Sequence, residues 1–290
     1  MLSAIGQPHT TPPLIAPSSK AMKKGRSAAV VSYALAVFSR PTLSAATFIS
    51  TSCEKLSRVA LMGTSNPLIE NNLPAPLLLG SGSFTRKLIL SEMNIPFHRI
   101  VREIDESSLG DRSKDAPGDL VLLLAKAKMN HLIKEIQAGN CNSDLPSGFA
   151  SSDEWVVLTG DQVVTHDGNI LEKPSSIEQA KQFVSGYAKS PCSTVGSCVL
   201  THLPSRIQVS GVDTATIYFK PTITGDIIDN LIELDEPVLK CAGGLMIEHP
   251  LTREHIDRID GTEDSVMGLS KDLVTRLLGE LSQKLVENAS

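Results

Sequence analysis

Buried-strand patterns and helical patterns alternate along the chain from about Pro74 onward, and this alternation limits the fold more than any other feature. Leu77-Leu78-Leu79 is an apolar run of strand length, and Asp119 to Ile136 carries apolar residues at helical spacing. Two longer strand patterns, Cys192 to His202 and Arg206 to Phe219, follow one another and predict an antiparallel pair. The sequence therefore predicts an α/β fold with a mixed, twisted β-sheet flanked by helices.

Local signals place the remaining elements. Gly80-Ser81-Gly82-Ser83 ends the first apolar run and leads into a helix through Arg86 to Met93. Asp167-Gly168 lies between apolar residues and predicts a hairpin, because its turn needs positive φ. Ser176 is typical of a helix N-cap. The same reasoning predicts strands over 95–101 and 155–158, and helices over 176–188, 224–234 and 269–288.

Residues 1–66 differ in charge from the rest of the chain. They contain seven Lys or Arg residues and one acid, Glu54, together with eleven Ser and six Thr residues. A basic, Ser-rich and acid-poor segment is typical of a transit peptide for a plastid or a mitochondrion. Two alternatives stay open: a disordered leader before a working start at Met62, with a cytoplasmic product, and a secretory signal that starts at Met22 and uses the apolar run Ala28–Phe38.

Residues 74–288 are predicted to form the folded domain, and this part of the chain is acidic. Residues 67–290 hold 20 basic and 31 acidic side chains, a balance of −11, which disfavours binding to nucleic acid. A mean hydropathy of +0.02 excludes a polytopic membrane class. The five cysteines form an odd set without Cys-x-x-Cys, which favours a reducing compartment over a disulfide framework or a zinc site.

The tract Gly80-Ser81-Gly82-Ser83 at a helix start is a candidate anion site. Backbone N–H groups and the positive end of the helix dipole would meet there, beside the charges of Arg86 and Lys87. Gly80 and Gly82 also fit the dinucleotide fingerprint Gly-x-Gly-x-x-Gly, but Thr85 breaks its third position. This near-match leaves a nicotinamide-dependent oxidoreductase open, and a plain connecting turn is the simplest alternative.

Carboxylates follow two of the predicted strands. Glu103-Ile104-Asp105-Glu106 comes after the second strand and Gly160-Asp161-Gln162 after the third, where α/β sheets bind ligands. Such carboxylates can hold a divalent cation or act as general bases, although solvated turns are a common alternative. Lys126 and Lys173 add positive charge to the set. Without a nucleophile-elbow serine or a Cys/His pair, the pattern indicates hydrolysis of a polyanion by activated water.

Six tracts in register resemble the Maf family of nucleoside triphosphate pyrophosphatases over roughly residues 75–285. The family's Ser-x-Ser-Pro-x-Arg-Arg is matched here by Ser81-Gly82-Ser83-Phe84-Thr85-Arg86-Lys87. The other tracts are Asp105-Glu106; Ala125-Lys126-Ala127; Asp161 with Asp167-Gly168 and Lys173-Pro174; Cys241-Ala242-Gly243; and Ile259-Asp260-Gly261 through Val266-Met267-Gly268-Leu269. The resemblance implies a Maf/ITPase-like α/β fold with an active-site cleft.

The resemblance further implies hydrolysis of a nucleoside triphosphate between the α and β phosphates, giving a monophosphate and pyrophosphate. The resemblance also implies roles for the matching residues of this sequence: Asp161 is the general base, Glu106 orients water, and the two hold a divalent metal cation, Mg²⁺ or Mn²⁺. Three cations would offset charge on the departing pyrophosphate, namely Arg86, Lys126 and Lys173. Ser81 and Ser83 are expected to contact the nucleoside triphosphate substrate, and a homodimer is one assembly open to the chain.

Some positions depart from the family pattern. Phe84 replaces the proline, which removes a rigid turn, and Lys87 replaces an arginine that could bind bidentately. Substrate choice in the family tracks the positions of Thr85, Gln162 and Glu248. Gln162 and Glu248 resemble the branch that acts on 7-methyl-GTP, whereas Thr85 replaces a tryptophan of that branch. The departures leave open a nucleotide-binding regulatory protein with weak or no turnover on the same fold.

Overall fold

The structure is a computed structural model that describes residues 73–147, 150 and 153–289. The expectations for residues 1–66, including a transit peptide and a start at Met62, lie outside the described residues. Within the described ranges, no helix combines the length and the apolar character that crossing a membrane requires.

The described residues form one mixed β-sheet of eight strands, as the sequence predicts. The strands are β1 (Leu77–Leu79), β2 (Phe97–Arg99), β3 (Trp155–Thr159), β4 (Gln162–His166), β5 (Asn169–Leu171), β6 (Cys192–Leu203), β7 (Gln208–Phe219) and β8 (Ile256–Asp260). Strand β1 is parallel to β2 on one side and to β3 on the other, and every remaining pair is antiparallel. The order is β2-β1-β3-β6-β4-β5, and β7 pairs with both β6 and β8.

Strand β6 has two successive partners along one of its edges. Its second half, residues 199–203, pairs with β3, and its first half, residues 192–196, pairs with β4. The chain between β3 and β4 is only Gly160-Asp161, which lies opposite Ser197. The Ser197 N–H donates to the Asp161 carbonyl at 2.9 Å. We call Gly160-Asp161 the strand break; it fixes Asp161 at the end of a buried strand.

Helices cover both faces of the sheet. They are α1 (Phe84–Glu92), α2 (Pro117–Gln137), α3 (Ile177–Tyr187), α4 (Asp226–Glu233), α5 (Pro250–Arg253), α6 (Glu263–Met267) and α7 (Lys271–Ala289), with 3₁₀ turns at Glu106–Ser108, Val238–Lys240 and Ala242–Gly244. Side chains of α1 and α7 pack with Leu77 and Leu79, whereas those of α2 pack with Leu78. The alternation follows from the period-2 geometry of a strand and gives a three-layer core at β1.

Several sequence predictions are confirmed. Asp167 and Gly168 have φ of 47° and 78° and join β4 to β5 in the expected hairpin. The Ser176 hydroxyl accepts from the Gln179 N–H and caps α3. The second strand is shorter than predicted because it begins only after Pro96. Strand β8 was not predicted, since its short sequence mixes charged and apolar residues without alternation.

Replacing Gly160 by alanine should destabilise the protein, because the added methyl would lie 2.5 Å from the Ser197 carbonyl oxygen. We expect a loss of about 1–3 kcal/mol in the free energy of unfolding, as for other overpacked sites. Urea titration measures this loss. Gly82→Ala is the matched control, since an added methyl there meets nothing within 4 Å. Equal unfolding midpoints for the two variants would contradict the inference that the close approach of Ser197 excludes a side chain at Gly160.

Candidate functional site

Arg86 connects three chain segments at the strand break. Its Nη1 donates to the Gly160 carbonyl at 2.9 Å and to the Ser81 hydroxyl at 3.2 Å, and its Nε donates to the Gly268 carbonyl at 2.9 Å. The side chain is buried, and burial lowers the pKa of the guanidinium although Asp161 opposes that shift. An arginine nevertheless stays charged in proteins. Arg86 therefore places a fixed positive charge near Asp161 and holds the ends of β1 and β3 together.

Asp161, Lys128 and Glu106 form an ion cluster beside the strand break. The Lys128 Nζ lies 2.5 Å from Asp161 Oδ1 and 3.0 Å from Glu106 Oε1. The Asp161 side chain is only 10% exposed, whereas that of Glu106 is 42% exposed. Burial raises the pKa of Asp161, and the neighbouring Lys128 acts against this shift. A carboxylate with raised proton affinity that is held at a strand end is suited to accept a proton from water.

Lys128 contacts both carboxylates of the cluster, whereas the sequence analysis named Lys126. The two lysines are two positions apart on α2, which turns their side chains by about 200° relative to each other. Carbonyls on the face of α2 toward the strand break accept from buried hydroxyls: Ala125 from Thr159 at 2.8 Å, and Val121 from Ser197 at 2.8 Å. Lys128 lies on the same face of α2, because it follows Ala125 by three positions, about one helical turn. Among the described residues, no ion pair or hydrogen bond joins Lys126 to the cluster.

The first loop is held by its own hydroxyl groups. The Ser83 hydroxyl caps α1 by accepting from the Arg86 N–H at 3.3 Å, and it lies 2.8 Å from the Thr85 hydroxyl. The Ser81 hydroxyl accepts from the Ser83 N–H at 3.2 Å. Phe84 occupies the first helical position and is 60% exposed. Helix α1 therefore begins on a serine cap although the family's proline is missing.

Gln162 connects the strand break to the C-terminal end of α6. Its Nε2 donates to the Val266 carbonyl at 2.7 Å, and a side chain at Gly268 would collide with its Oε1. Arg86 also binds this segment, through the Gly268 carbonyl. The amide group expected to contact substrate is thus already bonded within the protein.

Glu248 and Lys173 belong to a second group of residues around the 3₁₀ turns. Burial raises the pKa of Glu248, and Glu236 adds to the shift. Burial raises the pKa of the Cys241 thiol to about 12; Glu248 raises it further and Lys173 lowers it. His249 is buried, caps α5 by accepting from the Leu251 N–H, and lies 4.0 Å from Glu236. His249 therefore has a buried side chain in the loop that precedes α5.

The cluster offers two carboxylates to a metal ion. Among the described residues, no group of three His, Cys, Asp or Glu side chains could hold a metal. Mg²⁺ is commonly bound by one or two carboxylates together with phosphate oxygens of a substrate, rather than by a complete protein cage. Asp161 and Glu106 fit the kind of site in which one or two carboxylates bind the ion together with phosphate oxygens of the substrate.

A cavity of about 350 Å³ lies elsewhere, along β7 and the start of α7. It is lined by Asp213, Thr214, Asp272 and Arg276, among others, and by none of the residues of the ion cluster. The chemistry at the strand break, rather than the size of a cavity, therefore identifies the candidate site.

Comparisons with known proteins show which family of sequences the chain resembles. The profile of the family described as Maf-like protein matches residues 76–281. A 7-methyl-GTP pyrophosphatase of Dictyostelium discoideum is 33% identical over 208 residues, which cover 72% of this chain and 98% of the relative. A dTTP/UTP pyrophosphatase of Salinibacter ruber is 28% identical over 225 residues, 78% of this chain and 99% of the relative. A 7-methyl-GTP pyrophosphatase of Idiomarina loihiensis is 30% identical over 174 residues, 60% of this chain and 78% of the relative.

Replacing Glu248 by glutamine should stabilise the protein at alkaline pH and have little effect at acid pH. Because burial raises the pKa of Glu248, ionisation costs folding free energy once the pH passes the ordinary carboxyl range. We expect a gain of about 1 kcal/mol at pH 8, or about 2–4 °C in Tm, and almost none at pH 4. Thermal unfolding at both pH values measures it, with Glu233→Gln, at an exposed position, as control. A gain that is equal at both pH values would contradict the cause given.

Proposed function

The chain belongs to the Maf-like protein family, and from that membership we propose that it hydrolyses nucleoside triphosphates to a nucleoside monophosphate and pyrophosphate. The observation that carries the proposal is the buried Asp161 at the strand break, bonded to Lys128, which also binds Glu106. The pyrophosphatases of Dictyostelium discoideum and Salinibacter ruber are matched over 98% and 99% of their length, which supports the same activity for this chain.

The reaction is attack of water on the α-phosphorus. Asp161 takes the proton of the water, the new P–O bond forms, and the bond between the α-phosphorus and the bridging oxygen breaks, so that pyrophosphate leaves with the electron pair. The raised pKa of Asp161 makes it a stronger base than an exposed aspartate. Lys128 holds Asp161 and Glu106 in a fixed relation, which keeps the base ready for the water.

Asp161 and Glu106 are the residues that would hold a divalent cation, Mg²⁺ or Mn²⁺. Such an ion, when bound, offsets charge on the phosphate oxygens. The exposed Lys173 carries a further positive charge for the departing pyrophosphate. Arg86 also has a positioning role, because its Nε and Nη1 donate to protein oxygens and so hold Ser81 and the strand break in place.

The proposed substrate is a modified guanosine triphosphate, 7-methyl-GTP. Two of the relatives carry that name, and Glu248 can accept hydrogen bonds from the N1–H and N2–H₂ of guanine when it is ionised. Thr85 stands where the related branch has a tryptophan, and although the neighbouring Phe84 ring is exposed, the Lys87 Nζ lies over it at 5.5 Å from its centroid and would repel a cationic base. Thymidine and uridine triphosphates are the competing substrates, as named for another relative.

We also propose that the basic, Ser-rich residues 1–66 direct the protein to a plastid or a mitochondrion. The composition of this segment supports an address that is separate from the catalytic domain predicted for residues 74–288. A cytoplasmic form that starts at Met62 is the alternative, and a homodimer is the assembly that we propose.

The function is tested by measuring pyrophosphate release with Mg²⁺ from 7-methyl-GTP, dTTP, UTP and GTP. We expect turnover of at least one, fastest with 7-methyl-GTP, and a loss of about 10²–10⁴-fold in Asp161→Asn, as for removal of a general base. Asp257→Asn, at an exposed position on β8, should keep full activity. Nucleotide binding without turnover would favour the regulatory alternative, and binding of NAD(P)H instead of nucleoside triphosphates would favour the oxidoreductase.

The choice between the two lysines of α2 is tested by neutralising each one. We expect Lys128→Gln to lower kcat at least about tenfold, because Asp161 and Glu106 lose the cation that orients them. Lys126→Gln is the matched control on the same helix and should stay within about twofold of the native rate. A larger loss in the Lys126 variant would return the catalytic role to that residue.

A further inference from the structure

Two segments of the candidate site are joined by an ion pair between Arg112 and Glu172. We propose that Arg112 is a positioning residue, which acts through Glu172 to hold the loop of Glu106 against the segment of Lys173. The inference rests on the proposed function, because it assigns the pair to the geometry of that same site.

Arg112 binds the Glu106 loop through backbone carbonyls. Its Nη2 donates to the carbonyl of Glu106 at 3.0 Å, and its Nη1 donates to the carbonyl of Leu109. Glu106 is the first residue of the 3₁₀ turn Glu106–Ser108, and Leu109 directly follows the turn. The side chain of Glu106 is one of the two carboxylates of the ion cluster. The guanidinium thus fixes the backbone from which Glu106 reaches Lys128.

The other side of the guanidinium binds Glu172. Nε lies 3.3 Å from Glu172 Oε2 and Nη2 lies 3.2 Å from Oε1, so that the pair is bidentate. The Glu172 carbonyl accepts from the Gly243 N–H at 3.0 Å. Lys173 is the next residue along the chain. A single arginine therefore connects Glu106, Lys173 and the 3₁₀ turn of Gly243.

The surroundings of Arg112 favour positioning over direct contact with phosphate. Each of its three guanidinium nitrogens already donates to a protein oxygen. The bond to Glu172 raises the pKa of Arg112 most, burial lowers it, and the charges of Glu172, Asp161 and Glu106 add to the rise. The side chains of Arg112 and Glu172 are 24% and 48% exposed, and ion pairs with such exposure contribute little to global stability. Loss of the pair should therefore change catalysis more than unfolding.

Arg102 and Asp144 form a matched ion pair away from the cluster. Their side chains are 25% and 43% exposed and the atoms are 2.6 Å apart. The charges that act on Arg102 come from Cys141, Asp144 and Glu135, and those of Asp161 and Glu106 are not among them. Arg102→Gln removes a comparable surface interaction without touching the connection between the two segments.

The test compares Arg112→Gln, Glu172→Gln, the double variant and Arg102→Gln in steady-state kinetics and in hydrogen–deuterium exchange. We expect each single variant at 112 or 172 to lower kcat about tenfold with little change in KM, because catalytic groups are displaced. The double variant should lose no more than the worse single variant. The rate of amide hydrogen–deuterium exchange should increase over residues 103–110 and at Gly243 in both single variants. Arg102→Gln should leave kcat, KM and these amides unchanged.

Two kinetic results would overturn the inference. If Arg112→Gln raises KM while Glu172→Gln has no effect, Arg112 contacts the substrate directly. If neither variant changes kcat, the pair is an ordinary surface interaction. If the native protein releases no pyrophosphate from any nucleotide, the proposed function fails by itself. In that case hydrogen–deuterium exchange alone tests whether Arg112 positions the Glu106 loop. Unchanged amide exchange over residues 103–110 in the variants would overturn the inference.

Discussion

The buried guanidinium of Arg86 is the interaction on which the candidate site depends. It donates to the ends of β1 and β3 and to the segment after α6, three pieces of chain that are distant in sequence. Removing such a charge from water is costly unless oxygen atoms surround it, which is the case here. The carbonyl of Gly160 is one of these oxygens, so the position of Asp161 follows from the bonds that compensate Arg86.

Positive side chains lie beside the carboxylates of the candidate site although the chain is acidic from residue 67 onward. The chain from residue 67 onward has an excess of eleven acidic side chains, yet it brings Lys128 and Arg112 to the carboxylates that follow two strands. Lys128 contacts Asp161 and Glu106 directly, whereas Arg112 contacts the backbone of Glu106. The charge at the site therefore does not follow from the net charge of the chain. Net charge affects solubility and long-range attraction instead.

Much of the fold could be predicted because its signals are local. The hairpin at Asp167-Gly168 and the cap at Ser176 each depend on a few adjacent residues, and Asp161 could be found because it directly follows an apolar strand. Choosing Lys128 over Lys126 required the phase of α2 relative to Thr159 and Ser197, which only tertiary contacts define. Arg112 was missed for the same reason, since its partner Glu172 lies 60 residues away in the sequence.

We expect the triphosphate to bind at the strand break, beside Asp161 and Glu106. A crystal structure with Mg²⁺ and a triphosphate that has a non-hydrolysable α,β link would show where it binds. The α-phosphate should lie beside the carboxylate of Asp161, with the ion on Asp161 and Glu106. A triphosphate bound in the cavity along β7, near Asp213 and Arg276, would contradict this expectation.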